Sequence, residues 1–372
     1  MEVTKNITFP RPKTVFQQFA KLEEAMLMHT EQTFPNGYHP STVASAFDNS
    51  VLELIILPTE KCNFRCTYCY EDFKIGRMSS EVILGIKNLI GKRIKSLRRL
   101  GISWFGGEPL LAKSVVFDIS EFAAKVSREN DVGFSGGLTT NGYLLDNETL
   151  DRLVNCGQNH FQITLDGDQD IHDRRRLRAD GSGTFDVIWN NLIAIRQSTH
   201  RVAVTIRVHV ARDNLESLDR LVPKLNSSFG NDERFDIHFH KLSDLGGPTS
   251  GKIPTLSYLD YSKAMARLKG ESKVLADSEV DKTERREICY AARSNSIMIR
   301  ADGRLGKCTV ALDDPRNSIG RINQDGSLDV DNDLLRLWLE GFTDFDVNAL
   351  SCPLTAINRA ARRQIPLTLK AS

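Results

Sequence analysis

The sequence predicts an α/β fold: six strand–helix units forming a partial (β/α)6 barrel, followed by a small α+β domain. Three observations predict it. Short apolar runs alternate with longer helical patterns from residue 51 to about residue 241. The connections between those runs are long enough for the right-handed crossovers that join parallel strands. Past the turn signal Gly246-Gly247-Pro248 the alternation gives way to short strand-like pieces between Gly and Asp turns.

Taken in order, residues 1–50 carry no clear periodicity and read as an N-terminal extension. The strands expected in the barrel, residues 51–245, are Val51–Leu57, Ile102–Phe105, Val132–Thr139, His160–Leu165, Val202–Val210 and Phe235–Lys241. Between them the pattern calls for helices over Ser80–Leu100, Ala112–Asn130, Asn147–Cys156, Phe185–Ser198 and Leu215–Phe229. The fifth strand has strict period two: Val202, Val204, Ile206, Val208 and Val210 share one face, Thr205, Arg207 and His209 the other. In the sixth, Phe235, Ile237 and Phe239 oppose Asp236, His238 and His240. A closed eight-stranded barrel fills its lumen with branched side chains, so a polar inner face implies a barrel open enough to hold ligands. Residues 246–372 form the smaller domain.

Composition limits the partners. Of 372 residues, 40% are hydrophobic and 26% charged, and 49 Lys and Arg against 48 Asp and Glu leave a net charge of +1. That balance predicts neither a nucleic-acid footprint nor a membrane-surface patch. The basic runs Lys92–Arg99 and Arg174–Arg178 are expected as solvated faces. No apolar run reaches the roughly 18–20 residues of a membrane span, and the start Met-Glu-Val-Thr-Lys-Asn lacks the apolar stretch of a signal peptide. A cytoplasmic chain with reduced thiols is therefore expected, and its seven cysteines point to metal ligation or catalysis before disulfides.

The densest motif is Cys62-Asn-Phe-Arg-Cys66-Thr-Tyr-Cys69, directly after the first expected strand. Three thiolates within eight residues can hold one face of an iron–sulfur cluster. Three ligands on four irons leave one iron open, as a catalytic site requires. A zinc ribbon would show a second C-x2-C pair, and the chain has none. In parallel βα folds chemistry collects at the C-terminal ends of the strands. There the sequence places Gly106-Gly107-Glu108-Pro109, Thr139-Thr140-Asn141-Gly142 and Thr164-Leu165-Asp166-Gly167.

The C-x3-C-x2-C run with Tyr68 before its third cysteine resembles the signature of the radical S-adenosylmethionine (SAM) superfamily. The Gly-Gly-Glu run and the two later strand ends occur in that family's order. The resemblance implies a SAM-binding [4Fe–4S] cluster on Cys62, Cys66 and Cys69, whose open iron is chelated by SAM. Reductive cleavage of SAM then releases a 5′-deoxyadenosyl radical that abstracts a substrate hydrogen. It further implies that Tyr68, Gly106, Gly107, Glu108, Asn141, Thr164 and Arg207 line the SAM site, Glu108 taking the amino group and Arg207 being a candidate for the carboxylate. His209, His238 and His240 are candidate substrate or proton-transfer groups; the other reading of these histidines places them toward solvent at a strand edge.

Farther on, Gly303-Arg-Leu-Gly-Lys-Cys308, with Cys289 before it and Cys352 after it, resembles the SPASM and twitch extensions of that superfamily, which bind auxiliary clusters. No cysteine follows Cys352, so ligand count excludes two such clusters. Either one cluster on Cys289, Cys308 and Cys352 with a non-cysteine, substrate or open fourth position, or an eroded domain without a cluster, remains. Cys156, near a helix end, is expected as a buried small hydrophobe. In the sulfatase-maturing branch an Asp follows the G-x4-C cysteine; here Thr309 stands there, against formylglycine formation.

The function implied is oxidative modification, most plausibly cross-linking, of side chains in a ribosomally made peptide or protein, with a flavodoxin- or ferredoxin-type reductant. A radical SAM enzyme acting on a small metabolite and a noncatalytic Fe–S electron carrier are the alternatives, and the intact Glu108 motif argues against the carrier. Fifty residues are too few for the usual winged-helix peptide-recognition module, so the sequence assigns no leader-binding element.

Overall fold

The computed structural model describes residues 37–271 and 287–363. Residues 1–36 of the expected extension, and 272–286 and 364–372 of the expected C-terminal domain, lie outside them.

A short helix, α1 (Pro40–Ser45), precedes β1 (Val51–Ile56), an apolar strand buried along nearly its whole length. Then come β2 (Phe64–Cys66), α2 (Ser80–Arg93), β3 (Arg99–Trp104), α3 (Lys113–Glu129), β4 (Gly133–Thr140), α4 (Asn147–Asn155) and β5 (Gln158–Leu165). The barrel continues through α5 (Gln169–Arg175), β6 (Arg176–Arg178), α6 (Phe185–Gln197), β7 (Ala203–Val210), α7 (Leu215–Phe229) and β8 (Phe235–Lys241). Caps start the helices where the sequence has them: Ser79 accepts from the amide of Val82, and Asp146 from that of Thr149.

β1, β3, β4, β5, β7 and β8 run parallel in that spatial order, the six strands expected. The sheet stays open, with β8 at one end. Its outer face packs on the helices: Val202, Val204, Ile206, Val208 and Val210 are each 6% exposed or less, so the period-two reading holds. Cys156 is buried, as expected.

Two local expectations fail. The helix expected over Ser80–Leu100 stops at Arg93, followed by a 3₁₀ turn over Ile94–Ser96. Residues 99–104 are taken instead as strand, with Arg99 opposite Val51 in parallel register. The Arg174–Arg178 run is not a solvated face, because Arg175 and Arg176 are buried. β6 pairs antiparallel with β2, setting Arg176 opposite Cys66 and carrying the run inward. In the other basic run Arg93 is buried too, donating to the Asn49 carbonyl at 2.7 Å, while Lys95, Arg98 and Arg99 stay exposed.

After α8 (Tyr258–Glu271) the chain supplies β9 (Ser296–Ile299), β10 (Arg304–Gly306), β11 (Gly320–Ile322) and β12 (Leu328–Val330), then α9 (Asn332–Leu339), α10 (Val347–Ser351) and α11 (Pro353–Arg363). β9 pairs parallel with β1, so among the described residues one ten-stranded sheet runs β12-β11-β10-β9-β1-β3-β4-β5-β7-β8. Tyr38, Val43 and Ala46, around α1, share a small core with Ile288, Ala292, Phe342 and Leu350. No described helix is long and apolar enough to cross a membrane.

Candidate functional site

Cys62 lies in the loop after β1, Cys66 at the end of β2 and Cys69 three residues on, its amide donating to the Cys66 carbonyl at 3.1 Å. All seven cysteines are free thiols. Burial pushes Cys62, Cys66 and Cys69 upward, Cys69 to about 12, and Cys66 also raises each of its two partners. The three therefore lie within one another's field, half-buried at the C-terminal edge of the sheet. Among the described residues no three His, Cys, Asp or Glu side chains close around a single ion. A four-iron cluster asks for something else, one thiolate at each of three corners.

The loop is seated by the two glycines after β3. A Cβ on Gly106, whose φ is +115°, would come within 2.3 Å of the Thr59 carbonyl oxygen, and one on Gly107 within 2.5 Å of that of Lys61. The space these glycines leave is thus filled by the cysteine loop's own backbone. The Glu108 amide donates to the Lys61 carbonyl at 3.0 Å. Glu108 is fully buried. Its Oε1 accepts from Leu110 N at 2.9 Å and Thr140 Oγ1 at 2.8 Å, and its Oε2 from Asn141 N at 2.7 Å. Burial raises its pKa and these donors oppose the rise. A carboxylate has about four lone-pair sites, so one stays open for another donor. Asn141 also donates to Asn63 Oδ1 at 2.8 Å, tying the end of β4 to the cysteine loop.

At the end of β5 sits a network that the sequence did not single out. Asp166 is fully buried. Its Oδ2 accepts the Tyr68 hydroxyl and its Oδ1 lies 2.9 Å from His209 Nδ1. Arg176 donates to the Tyr68 oxygen at 2.6 Å and stands 4.0 Å from Asp166. Burial works to raise the Asp166 pKa, but His209 and Arg176 outweigh it and hold the carboxyl well below its usual range. Burial lowers the His209 pKa and the Asp166 carboxylate beside its Nδ1 opposes that fall. Behind them the Asp166 amide donates to His172 Nδ1 at 3.3 Å, while His172 Nε2 faces Thr184 Oγ1 at 3.1 Å. Burial pushes His172 down to about 3, as suits a neutral ring. Asp166 is the residue of Thr164-Leu165-Asp166-Gly167 that a reading for SAM edges passed over, and a buried Arg176 is unreadable among three consecutive arginines.

Thr164 is buried opposite Arg207 in the β5–β7 register, and Arg207 opposite His238 in the β7–β8 register. Arg207 Nε and Arg176 Nε are buried without a hydrogen-bond partner among the described residues. His209, His240 and His238 form a row with ring centroids 6.0 Å apart at each step. His209 and His240 are half-buried and His238 is exposed at β8.

Beneath this edge lies a cavity of about 500 Å³ on the inner face of the sheet. Ser103, Gly137 and Ala203 keep one level of it small, and Glu53, His160, Gln162 and Thr205 line it from the strands. Tyr290 and Thr309 close it from the C-terminal side. They directly follow Cys289 and Cys308; burial raises the pKa of both thiols, and Cys352 adds to the rise in each, as Cys289 does for Cys308. Asn317, unread in the sequence, clamps this turn: its Oδ1 accepts from Lys307 N and Cys308 N, and its Nδ2 donates to Cys308 O and Ala311 O. Cys352 is exposed and accepts from Thr355 Oγ1 at 3.2 Å.

A thiol triplet and a buried carboxylate thus meet at adjoining ends of the parallel strands of an open sheet. Residues 56–222 match the family model of the Radical SAM superfamily, and this stretch is a radical SAM domain. The chain is similar to the molybdenum cofactor biosynthesis protein moc-5 of Caenorhabditis elegans, 23% identical over 82% of this chain and 52% of that protein. It is also similar to a cysteine-type anaerobic sulfatase-maturating enzyme of Clostridium novyi, 26% identical over 58% of each. The chain thus spans about half the length of these curated relatives. In fold it resembles anSMEcpe with bound AdoMet and Cp18Cys peptide, at a TM-score of 0.56 and 20% identity over 78% of this chain and 83% of that one. Streptococcus suis SuiB bound to precursor peptide SuiA gives a TM-score of 0.51 and 16% identity over 93% and 83%.

Proposed function

We propose that the chain is a radical SAM enzyme that oxidatively modifies side chains of a ribosomally made peptide or protein. The observation that carries the reading is the convergence of three reduced thiols with the Glu108 carboxylate, which keeps one acceptor position open beside the cysteine loop. The donor set fits the cofactors: Cys62, Cys66 and Cys69 would hold the [4Fe–4S] cluster. Glu108 would take the SAM ammonium, and Arg207 or Arg176, each with an unpartnered Nε–H, its carboxylate. When bound, the cluster supplies the electron that splits the SAM sulfonium and frees the hydrogen-abstracting radical.

The chain's own residues do the positioning. Gly106, Gly107 and Asn141 fix the cysteine loop against the ends of β3 and β4. Asp166 and Arg176 hold Tyr68, and the cavity closed by Tyr290 and Thr309 admits a substrate side chain. On this reading Cys289, Cys308 and Cys352 bind one auxiliary cluster, and a flavodoxin- or ferredoxin-type protein delivers the electron. The peptide substrate is supported by the peptide-bound fold relatives and by the size of the cavity. A small-metabolite substrate is the second reading, favoured by the match to moc-5 across most of this chain.

Replacing Cys62, Cys66 and Cys69 together by Ala is expected to abolish 5′-deoxyadenosine formation from SAM under strong reductant. Undiminished formation overturns the proposal. Coexpression with a short peptide encoded beside the gene, read as a mass loss in that peptide, separates the two substrate readings.

A further inference from the structure

We propose that Tyr70 is the electron-transfer bridge between the cluster on Cys62, Cys66 and Cys69 and the one on Cys289, Cys308 and Cys352. The inference rests on the reading above that both clusters are bound. Tyr70 directly follows Cys69, and its hydroxyl donates to the carbonyl oxygen of Thr309 at 3.2 Å. Thr309 directly follows Cys308. From the other side the Thr309 amide donates to the Tyr290 hydroxyl at 3.1 Å, and Thr309 Oγ1 lies 2.9 Å from the same oxygen. Tyr290 directly follows Cys289. Each of three cysteines thus sends one residue to a single junction, and one hydrogen bond joins the two groups of thiols.

Electron tunnelling falls off less steeply through covalent and hydrogen bonds than through empty space, so this thread outcompetes any jump across the cavity. Its surroundings hold it in place. Ile55, Leu57, Met298 and Leu312 form a buried apolar wall around Tyr70, Phe105 and Tyr290. Thr249 Oγ1 donates to the Cys69 carbonyl at 3.0 Å. Gly247, at φ +78°, presses so close that a Cβ there would come within 2.3 Å of the Tyr70 carbonyl oxygen. In an apolar wall a phenyl ring would pack as well as a phenol, so the hydroxyl is the part that needs a reason. The step moves one electron: one cluster is oxidised, the other reduced, and Tyr70 keeps its proton.

The test is Tyr70→Phe in the full chain, reconstituted anaerobically and photoreduced, with electron equilibration followed by freeze-quench EPR. The two signals are assigned from the Cys62/Cys66/Cys69 and Cys289/Cys308/Cys352 triple-Ala variants. The expected result is about eight irons per chain, as in the wild type, from two four-iron clusters. Both midpoint potentials stay unchanged and equilibration slows severalfold. Unchanged equilibration with both clusters present overturns the bridge alone. About four irons in the wild type overturn the auxiliary-cluster reading and the bridge with it. If Tyr70→Phe does not assemble its clusters, Tyr70→Met, which fills the apolar wall without the hydroxyl, takes its place. Slowed equilibration in that variant supports the bridge, and unchanged equilibration overturns it.

Discussion

At Glu108 three donors occupy all but one of the carboxylate's acceptor positions. Glu108→Gln removes the charge while keeping the shape, so SAM binding should weaken by roughly 10- to 150-fold, the cost of one charge-assisted hydrogen bond at about 1.5–3 kcal/mol. Isothermal titration with SAM on cluster-loaded protein measures this, and iron content should match the wild type. An unchanged dissociation constant would make Glu108 a turn-capping residue only. His172 offers a second test at this scale. Its folded pKa of about 3 lies below the ordinary 6.5. Between those values the unfolded chain binds the extra proton, so stability contributed by neutral His172 is present above about pH 6.5 and drains away toward pH 3. In His172→Gln the urea midpoint should fall less steeply across that window than in the wild type. Parallel curves would show that the ring titrates normally.

Among the elements, α2 and the turn after β3 give opposite answers to one substitution. Gly91, exposed within α2, has nothing within 4 Å of where a Cβ would sit. Gly91→Ala should stabilise by about 0.5–1 kcal/mol, seen as a higher denaturation midpoint. Gly106→Ala would put a Cβ against Thr59 at a positive φ. It should destabilise by about 1–3 kcal/mol and lower iron incorporation, because the displaced backbone belongs to the cysteine loop. The barrel strands were legible because period two survives in residues such as Val202–Val210, which need only one helix-covered face. The β2–β6 ribbon was not: three-residue strands carry no period. Its partner Arg176–Arg178 reads as surface until Asp166, ninety-odd residues from Tyr68, is known to meet it. The cysteine triplet and Gly-Gly-Glu were legible as local spacings. The Asp166 network is held together by tertiary contacts alone.

Over the whole molecule, the two halves are fastened by Glu60 and Arg300. Arg300 Nε and Nη2 donate to the two Glu60 oxygens at 2.8 and 2.6 Å, with both residues buried. Removing one partner strands the other charge in the interior, so Arg300→Ala should cost about 3–5 kcal/mol in urea denaturation. A loss below 1 kcal/mol would mean that water reaches the pair. That the C-terminal segment continues the barrel sheet could not be read from the sequence, since β9 is only four residues long and its partner β1 lies some 240 residues earlier.

That pairing has a consequence during synthesis. β1 leaves the ribosome well before β9, and β3 soon covers one of its edges. The other edge waits for β9. At roughly 5–20 residues per second the intervening chain takes about 10–50 s to make. Throughout that interval an apolar strand in mid-sheet shows unpaired amides and carbonyls, the arrangement most prone to aggregate. Nascent chains halted before residue 296 should therefore depend on chaperones for solubility, and chains released after β12 should not.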